Sequence, residues 1–311
     1  MNSDPTPPDW PRVGVVVLNW HGRRDTLMCL QALAALDYSN WSLTLIDNGC
    51  SEFSADELTR LAPRARYVRT GGNLGFAGGC NLGMRDALAE RADYVWFLNN
   101  DAQPEPSALT ELIAVARSDQ RIGIIGPKVV LASDPFRLDS IALRINLASG
   151  RLYLLGHNEV DRGQYDHLSS PDGVTACAML VSRAACERLG GFDEDYFAYL
   201  EDADACLRAR AAGFRIAVAP RARVRHNRPP AASGRQSVSS LYYAARNHLR
   251  LMAQHGRGGR TAHSMRSTVV AALNLAFALR GDAPRSARLH AVWRGVRDYR
   301  RGVFGIDRSS D

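Results

Sequence analysis

Two groups of acidic and amide side chains in this sequence have the makings of a site for a charged, oxygen-rich ligand. Asn99-Asn100-Asp101 closes the apolar run 94–98. A carboxylate in that position can hold a divalent cation bridging two phosphates, because magnesium and manganese accept oxygen ligands readily. Glu201, Asp202 and Asp204 place three carboxylates at a predicted helix start. The helix dipole alone favours acids there. The aromatic residues Phe192, Tyr196, Phe197 and Tyr199 just before them can also wall a partly dry site in which a carboxylate serves as general base. A third segment, Gly71-Gly72-Asn73-Leu74-Gly75-Phe76-Ala77-Gly78-Gly79-Cys80-Asn81, reads as a strand-to-helix turn whose backbone amides can approach a phosphate. It has neither the GxGxxG spacing of dinucleotide-binding folds nor the GK[ST] of a P-loop. Taken singly, each group has a plainer reading, as an Asx turn, a dipole-favoured helix start or a glycine-rich loop.

The elements around these groups decide whether they meet. Short β-branched runs at 13–18, 43–46, 65–69 and 94–98 alternate with helical patterns at 25–36, 55–61 and 77–89. Pro104 and Pro106 introduce a further helix. Such alternation predicts an α/β fold with a mostly parallel central sheet flanked by helices. Ligands sit beyond the carboxyl ends of the strands in these sheets, and the polar clusters Asn19-Trp20-His21-Gly22, Asp47-Asn48-Gly49, Gly71–Gly75 and Asn99-Asn100-Asp101 each follow a strand, so they should converge on one crevice. A strand at 122–130 is followed by short strands and loops over 134–172 in place of another strand-helix unit. Then come a strand at 174–181, a helix at 183–189 ended by Gly190-Gly191, a helix from Glu201 to Gly213, and a strand at 215–218. From Val238 onward the chain reads as helical and basic.

The 311 residues carry a formal charge of +7, almost wholly from arginine, since Lys128 is the single lysine. A charge of this sign favours phosphate-rich ligands, an anionic membrane surface or nucleic acid. No helix-turn-helix, RRM or zinc pattern accompanies it, so no nucleic-acid partner is expected. The six cysteines form no CxxC pair and are expected as reduced buried thiols. MNSDPTPPDWP lacks a basic and then apolar leader, which predicts a cytoplasmic protein. The apolar stretch 268–279 is too short to span a bilayer. The arginine-rich tail fits a solvated helical face as well as peripheral attachment to the inner face of the cell membrane.

In order along residues 12–226 stand VVVLNWHG, LTLIDNGCS, GGNLGFAGGCNLG, YVWFLNNDAQP, GVTACAMLVSR, GGFDEDYFAYLEDADACLRARAAGF and VRH. This succession resembles the family 2 glycosyltransferases of the GT-A fold, especially their bacterial rhamnosyltransferase-like branch. The resemblance implies a leader at 1–11, expected to be disordered. It also implies a transferase domain at 12–235, with a nucleotide half at about 12–130 and an acceptor half at 131–235, and a helical basic extension at 236–311.

It further implies roles. Asn19 and Asp47 would line a nucleoside pocket, Asp47 facing an imino N–H of uracil or thymine. Asn73 and Gly75 would lie beside the nucleotide, with Asn81 as a buttress. Asn99, Asn100 and Asp101 would contact the nucleotide sugar; Asn99 and Asp101 stand at the outer positions of the family's DxD motif, and with His226 they would hold Mg2+ or Mn2+, Asn99 more weakly through its amide oxygen. Asp202 would be the base of an inverting transfer, Asp204 its rival, and Glu201 would orient the acceptor. The donor implied is dTDP-rhamnose, with UDP-sugars as alternatives, and the acceptor a glycan or a lipid-linked hydroxyl. Against this stand a nucleotidyltransferase, which would need a basic triphosphate loop where Asn19-Trp20-His21-Gly22-Arg23 stands, and a non-enzymatic basic module binding membrane or nucleic acid.

Overall fold

The computed structural model describes residues 10–63, 65–168, 170–227, 237–280 and 283–307. Most of the expected leader lies outside them. The chain alternates β1 (Val13–Asn19), α1 (Arg23–Ala34), β2 (Trp41–Asp47), α2 (Ala55–Leu61), β3 (Ala65–Arg69), α3 (Gly75–Ala89) and β4 (Tyr94–Asn99). Every residue of β1 is buried, as a central strand covered on both faces requires. β3, β2, β1 and β4 pair in parallel, in that spatial order.

Beyond β4 the sheet changes character. β5 (Ala102–Pro104), α4 (Ala108–Ser118), β6 (Ile122–Leu131) and β7 (Asp134–Ser140) follow, and β8 (Ala142–Asn146) pairs with β9 (Arg151–Leu155) as a separate ribbon. β10 (Ala178–Ser182) lies antiparallel between β4 and β6. β11 (Arg215–His226) runs parallel to β6 and antiparallel to β5, completing a nine-stranded mixed sheet among the described residues.

Two sequence expectations need correction here. The strand expected at 174–181 forms only from Ala178, and residues 174–177 are a connecting segment that later bridges the site. The strand expected at 215–218 continues to His226 because a register shift between Ala219 and Arg223 absorbs the proline-containing stretch.

α5 (Arg183–Leu189) ends at Gly190, which sits in the left-handed region at φ 69°. A 3₁₀ turn (Glu194–Tyr196) leads to α6 (Glu201–Ala211). One apolar core lies under α1 and α4 and a second under α3, α5 and α6. α7 (Val238–His255), α8 (Arg260–Ala278) and α9 (Arg285–Arg300) follow. A cluster of Leu143, Ile145, Tyr196, Ala203, Leu207, Leu249, Met252 and Val270 packs α7 and α8 against β8 and α6.

Part of the tail's basic character is interior, where a solvated face was one expectation. Arg246, Arg266 and Arg288 are 0%, 6% and 1% exposed. Arg288 donates to the carbonyls of Phe277, Ala278 and Arg280 at the end of α8, and Arg266 donates to that of Arg257. Guanidinium groups buried this way satisfy carbonyls that helix ends and turns leave unpaired.

Candidate active site

Parallel pairing puts the polar strand ends side by side. Asn19 is opposite Asp47 on β2, and Leu18 is opposite Asn99 on β4. The expected convergence at the carboxyl edge is therefore present, but several of its side chains face inward. Asp47 is fully buried and accepts from the amides of Cys50, Ser51 and Glu52, from the Cys50 thiol and from the Tyr67 hydroxyl. Burial raises its pKa, and these donors more than offset that, holding it below the usual carboxylate range. Its oxygens shape the loop after β2 where a base contact was expected. Asn19, also buried, accepts from Gly22 N at 3.2 Å and Thr26 Oγ1 at 2.9 Å and donates to Glu52 at 2.9 Å. Asn100 donates to Thr26 Oγ1 at 3.0 Å and Gly22 O at 3.3 Å. Both hold the β1 loop in shape. Trp20, on that loop, is 57% exposed, whereas Trp96 is buried in the sheet.

The glycine-rich turn is likewise occupied from within. Asn48 accepts from Leu74 N at 2.9 Å and donates to Asn73 Oδ1 at 3.0 Å, which accepts from Gly75 N at 2.8 Å. Ala77 N donates to Phe197 O at 3.1 Å. These amides are already paired, so the expected phosphate cradle is not what they form. Gly75 has φ +72°, and a Cβ there would lie 2.4 Å from Phe197 O; the position takes glycine because residue 197 rests on it. Asn81 buttresses a different segment, exchanging bonds with the backbone of Phe192 at 2.8 and 2.9 Å and donating to Glu194 at 3.0 Å.

Asp101 and His226 do meet. β11 pairs His226 with Ala102, and Asn227 N donates to Asp101 O at 2.8 Å. His226 Nε2 lies 3.1 Å from Asp101 Oδ1, and Nδ1 lies 2.8 Å from Asp139 Oδ2. The first contact is an ion pair with poor hydrogen-bond direction, since Asp101 Oδ1 is buried without a hydrogen-bond partner among the described residues. Burial opposes charging His226, but carboxylates at both ring nitrogens and the neighbouring Cys177 raise its pKa well above the ordinary value. Burial raises the Asp101 pKa while His226 lowers it, with a net fall.

The acid pair stands across the 174–177 segment. Asp202 Oδ2 accepts from Ala176 N at 3.2 Å, and the next residue's carbonyl, Cys177 O, accepts from Asn99 N at 2.9 Å. Asp202 Oδ1 also accepts from Ala203 N at 2.7 Å. Burial pushes the Asp202 pKa up, partly offset by those amides. Glu201 is 6% exposed, and its Oε2 has no partner among the described residues. Burial and the adjacent Asp202 push it up further, to about 8. Asp204 is separate from this pair: its oxygens take Arg208 Nε at 2.6 Å and His255 Nε2 at 2.7 Å, tying α6 to α7. That pairing removes it as a rival base.

Sequence reasoning missed Asn48, Asp139, Arg246 and Asn247. Asn48 stood in a noted turn cluster beside the chosen Asp47. The others lie in segments without a strand-end signal, and only pairing across the sheet or between helices reveals them.

With this geometry in hand, a family model described as "Glycosyltransferase like family 2" matches residues 11–253. The chain belongs to this family. The glycosyltransferase is 28% identical over 219 residues to N-acetylglucosaminyl-diphospho-decaprenol L-rhamnosyltransferase of Mycobacterium tuberculosis, covering 64% of this chain and 70% of that one. It is 24% identical over 242 residues to the low-salt glycan biosynthesis hexosyltransferase Agl10 of Haloferax volcanii, covering 76% and 73%. Among solved structures, the mannosyltransferase PcManGT of Pyrobaculum calidifontis in complex with GDP-Man and Mn2+ superposes with TM-score 0.57 at 17% identity, covering 94% of this chain and 83% of that one. S. aureus TarS 1–349 superposes with TM-score 0.54 at 13% identity, covering 94% and 92%. These likenesses establish the GT-A fold, and the family establishes a glycosyltransferase working with nucleotide-sugar donors.

The acid pair makes stability depend on pH. A carboxyl group whose folded pKa lies above its unfolded value binds more protons when folded, so stability falls as pH rises between the two. For Glu201 that window runs from 4.5 to about 8. Glu201→Gln should therefore raise Tm relative to wild type more at pH 8 than at pH 5. Thermal melts at both values check this, and an equal offset would show that Glu201 is not held protonated.

Proposed function

We propose that this enzyme moves a sugar from a dTDP- or UDP-linked donor, with dTDP-rhamnose the first candidate, to a hydroxyl of a lipid-linked or polysaccharide acceptor, inverting the anomeric centre. The observation that carries this reading concerns buried carboxylate oxygens that lack a hydrogen bond. Among the described buried side chains these are Asp101 Oδ1, held by its ion pair to His226 alone, and Glu201 Oε2, and they belong to the two acidic groups that transfer chemistry requires. Buried polar groups are rarely left unpaired, and those that are point to an absent ligand or a functional role. The rhamnose assignment draws on the 28% identical rhamnosyltransferase.

The donor side fits a divalent cation. Asp101 would offer the oxygen that now faces His226, His226 would offer Nε2 once its proton is displaced, oriented from behind by Asp139, and Asn99 an adjacent amide. Mg2+ or Mn2+ held by so few side chains would take its remaining ligands from phosphate oxygens and water. When bound, such a cation neutralises charge developing on the departing diphosphate. On the acceptor side, burial pushes both carboxyls towards the protonated form, but the amides of Ala176 and Ala203 counter this at Asp202, whereas Glu201 has no donor to its Oε2. Asp202 takes the acceptor hydroxyl proton. The acceptor oxygen bonds to the anomeric carbon as the bond to the diphosphate oxygen breaks, its electron pair leaving with the diphosphate. Glu201 donates a hydrogen bond that orients the acceptor. Asp202→Asn should lower transfer at least ~10³-fold while dTDP or UDP binds within about twofold of wild type. Initial rates and calorimetry check this, and unchanged turnover would remove Asp202 as the base.

The tail supplies a membrane-facing surface for this reading. No helix of the described residues is long and apolar enough to cross a bilayer. α8 contains no acidic residue and exposes Met265, Val269, Leu275 and Phe277, with Leu279 just past its end, at 41–66%. Exposed Arg257, Arg260, Arg280 and Arg285 flank it. An apolar stripe edged by arginines matches an anionic lipid surface. Vesicles containing phosphatidylglycerol should co-sediment the enzyme, and Met265→Glu with Leu275→Glu should weaken this at least tenfold. Equal binding of the double variant would assign attachment elsewhere.

A further inference from the structure

The acid pair sits at the end of a turn that the chain would not adopt by itself. Phe197, Tyr199 and Leu200 have φ of 63°, 70° and 71°, three side-chain-bearing residues within four positions in a region that favours glycine. Leu200 is also the residue before α6 and supplies no side-chain cap. The direction in which α6 starts, and with it the aim of Glu201 and Asp202, depends on whatever holds this turn.

The holding groups come from α7. Asn247 is fully buried, and its Nδ2 donates to the carbonyls of Tyr196, Ala198 and Tyr199 at 2.9, 2.8 and 2.8 Å. Its Oδ1 accepts from Arg246 Nε at 2.9 Å, which fixes the amide so that its N–H groups face the turn. Arg246, also fully buried, donates through Nη2 to the carbonyls of Asp195 and Tyr196 at 3.1 and 3.0 Å and through Nη1 to that of Gly305 at 2.6 Å. Its guanidinium lies 5.1 Å from the ring centroid of Tyr243, and that ring stacks on Phe197 at 5.2 Å. On the far side, Phe197 rests on Gly75 and accepts from Ala77 N. The turn is therefore gripped between the start of α3 and two adjacent side chains of α7.

We propose that Arg246 and Asn247 are positioning residues for transfer: they hold residues 195–200 in the strained conformation that aims Asp202 at the acceptor. This rests on the reading of Asp202 as the base. It also gives the basic C-terminal helices a part in the reaction, because α7 sets the geometry of the α6 start without contacting substrate.

The test uses the full chain carrying Asn247→Asp, which keeps the size and the oxygen facing Arg246 but removes the N–H donors, with Asn247→Ala as a second variant. Three readouts are taken in parallel with Asp202→Asn. These are hydrogen exchange of the 195–203 amides, calorimetric binding of dTDP and UDP, and the steady-state turnover and pH profile of whichever of dTDP-rhamnose and UDP-glucose the wild type consumes. Exchange in 195–203 should rise at least tenfold while sheet amides stay as in wild type. Turnover should fall on the order of 100-fold, the loss that a misplacement of about 1 Å causes, with KM for the donor and nucleotide affinity within about threefold and the pH profile displaced. Wild-type exchange and turnover in both variants would overturn the proposal. So would a loss of turnover matched by lost nucleotide binding and faster exchange throughout the sheet, which marks general unfolding. If Asp202→Asn keeps full turnover, the assignment of the base fails, and the exchange measurement still decides whether Asn247 holds the turn.

Discussion

His226 lies between two carboxylates, and the donor edge is organised around it. Asp101 follows β4, Asp139 lies on β7 and His226 ends β11, so one buried imidazole joins three parts of the sheet. An uncompensated charge in that position would carry a desolvation penalty of several kcal/mol. The contacts at both ring nitrogens make it tolerable, and Asp139 fixes which nitrogen faces Asp101. The bulge in β11 matters for the same reason. Without the register shift after Ala219, the strand would not bring His226 opposite Ala102 and beside Asp101.

The carboxyl edge divides its polar groups between two tasks. Asn19, Asp47, Asn48, Asn73 and Asn100 spend their hydrogen-bonding capacity on the loops after β1 and β2 and on the start of α3, leaving rigid backbone around the crevice. Glu201 Oε2 has no hydrogen-bond partner among the described residues, and Asp101 Oδ1 is held only by its ion pair to His226. Preorganised loops with a few uncommitted groups suit a transferase, in which the reacting atoms must be placed before charge develops. Asp202 lies between these classes. Two amides hold its carboxylate in place and offset part of the upward push that burial gives its pKa.

Much of the scaffold was legible because hydrophobic periodicity records it directly. The bounds of α2, β3 and α5 match the spacing of apolar residues and their terminators, and the strand-end position of each polar cluster foretold the shared edge. What the sequence concealed was orientation and long-range pairing. Asp47 and Asn100 carry the residue types of ligand contacts, yet a strand end can turn such groups into its own loop, and only the donors around them decide. Asp204 stood as a rival to Asp202 two positions away, but a helix sends those side chains in different directions, and Arg208 and His255 claim Asp204. The tail's arginines read as surface charge because composition does not tell an exposed guanidinium from one buried against carbonyls.

The proposed donor site rests on a cation held by Asp101 and His226 that binds the nucleotide diphosphate. Calorimetric titration of dTDP and UDP into the wild type and Asp101→Ala, each with Mn2+ and with excess chelator, tests this most directly. Mn2+ should tighten nucleotide binding by the wild type at least tenfold and leave the weaker binding of Asp101→Ala unchanged. Equal affinity in Mn2+ and chelator for the wild type, or an undiminished Mn2+ effect in Asp101→Ala, would contradict it.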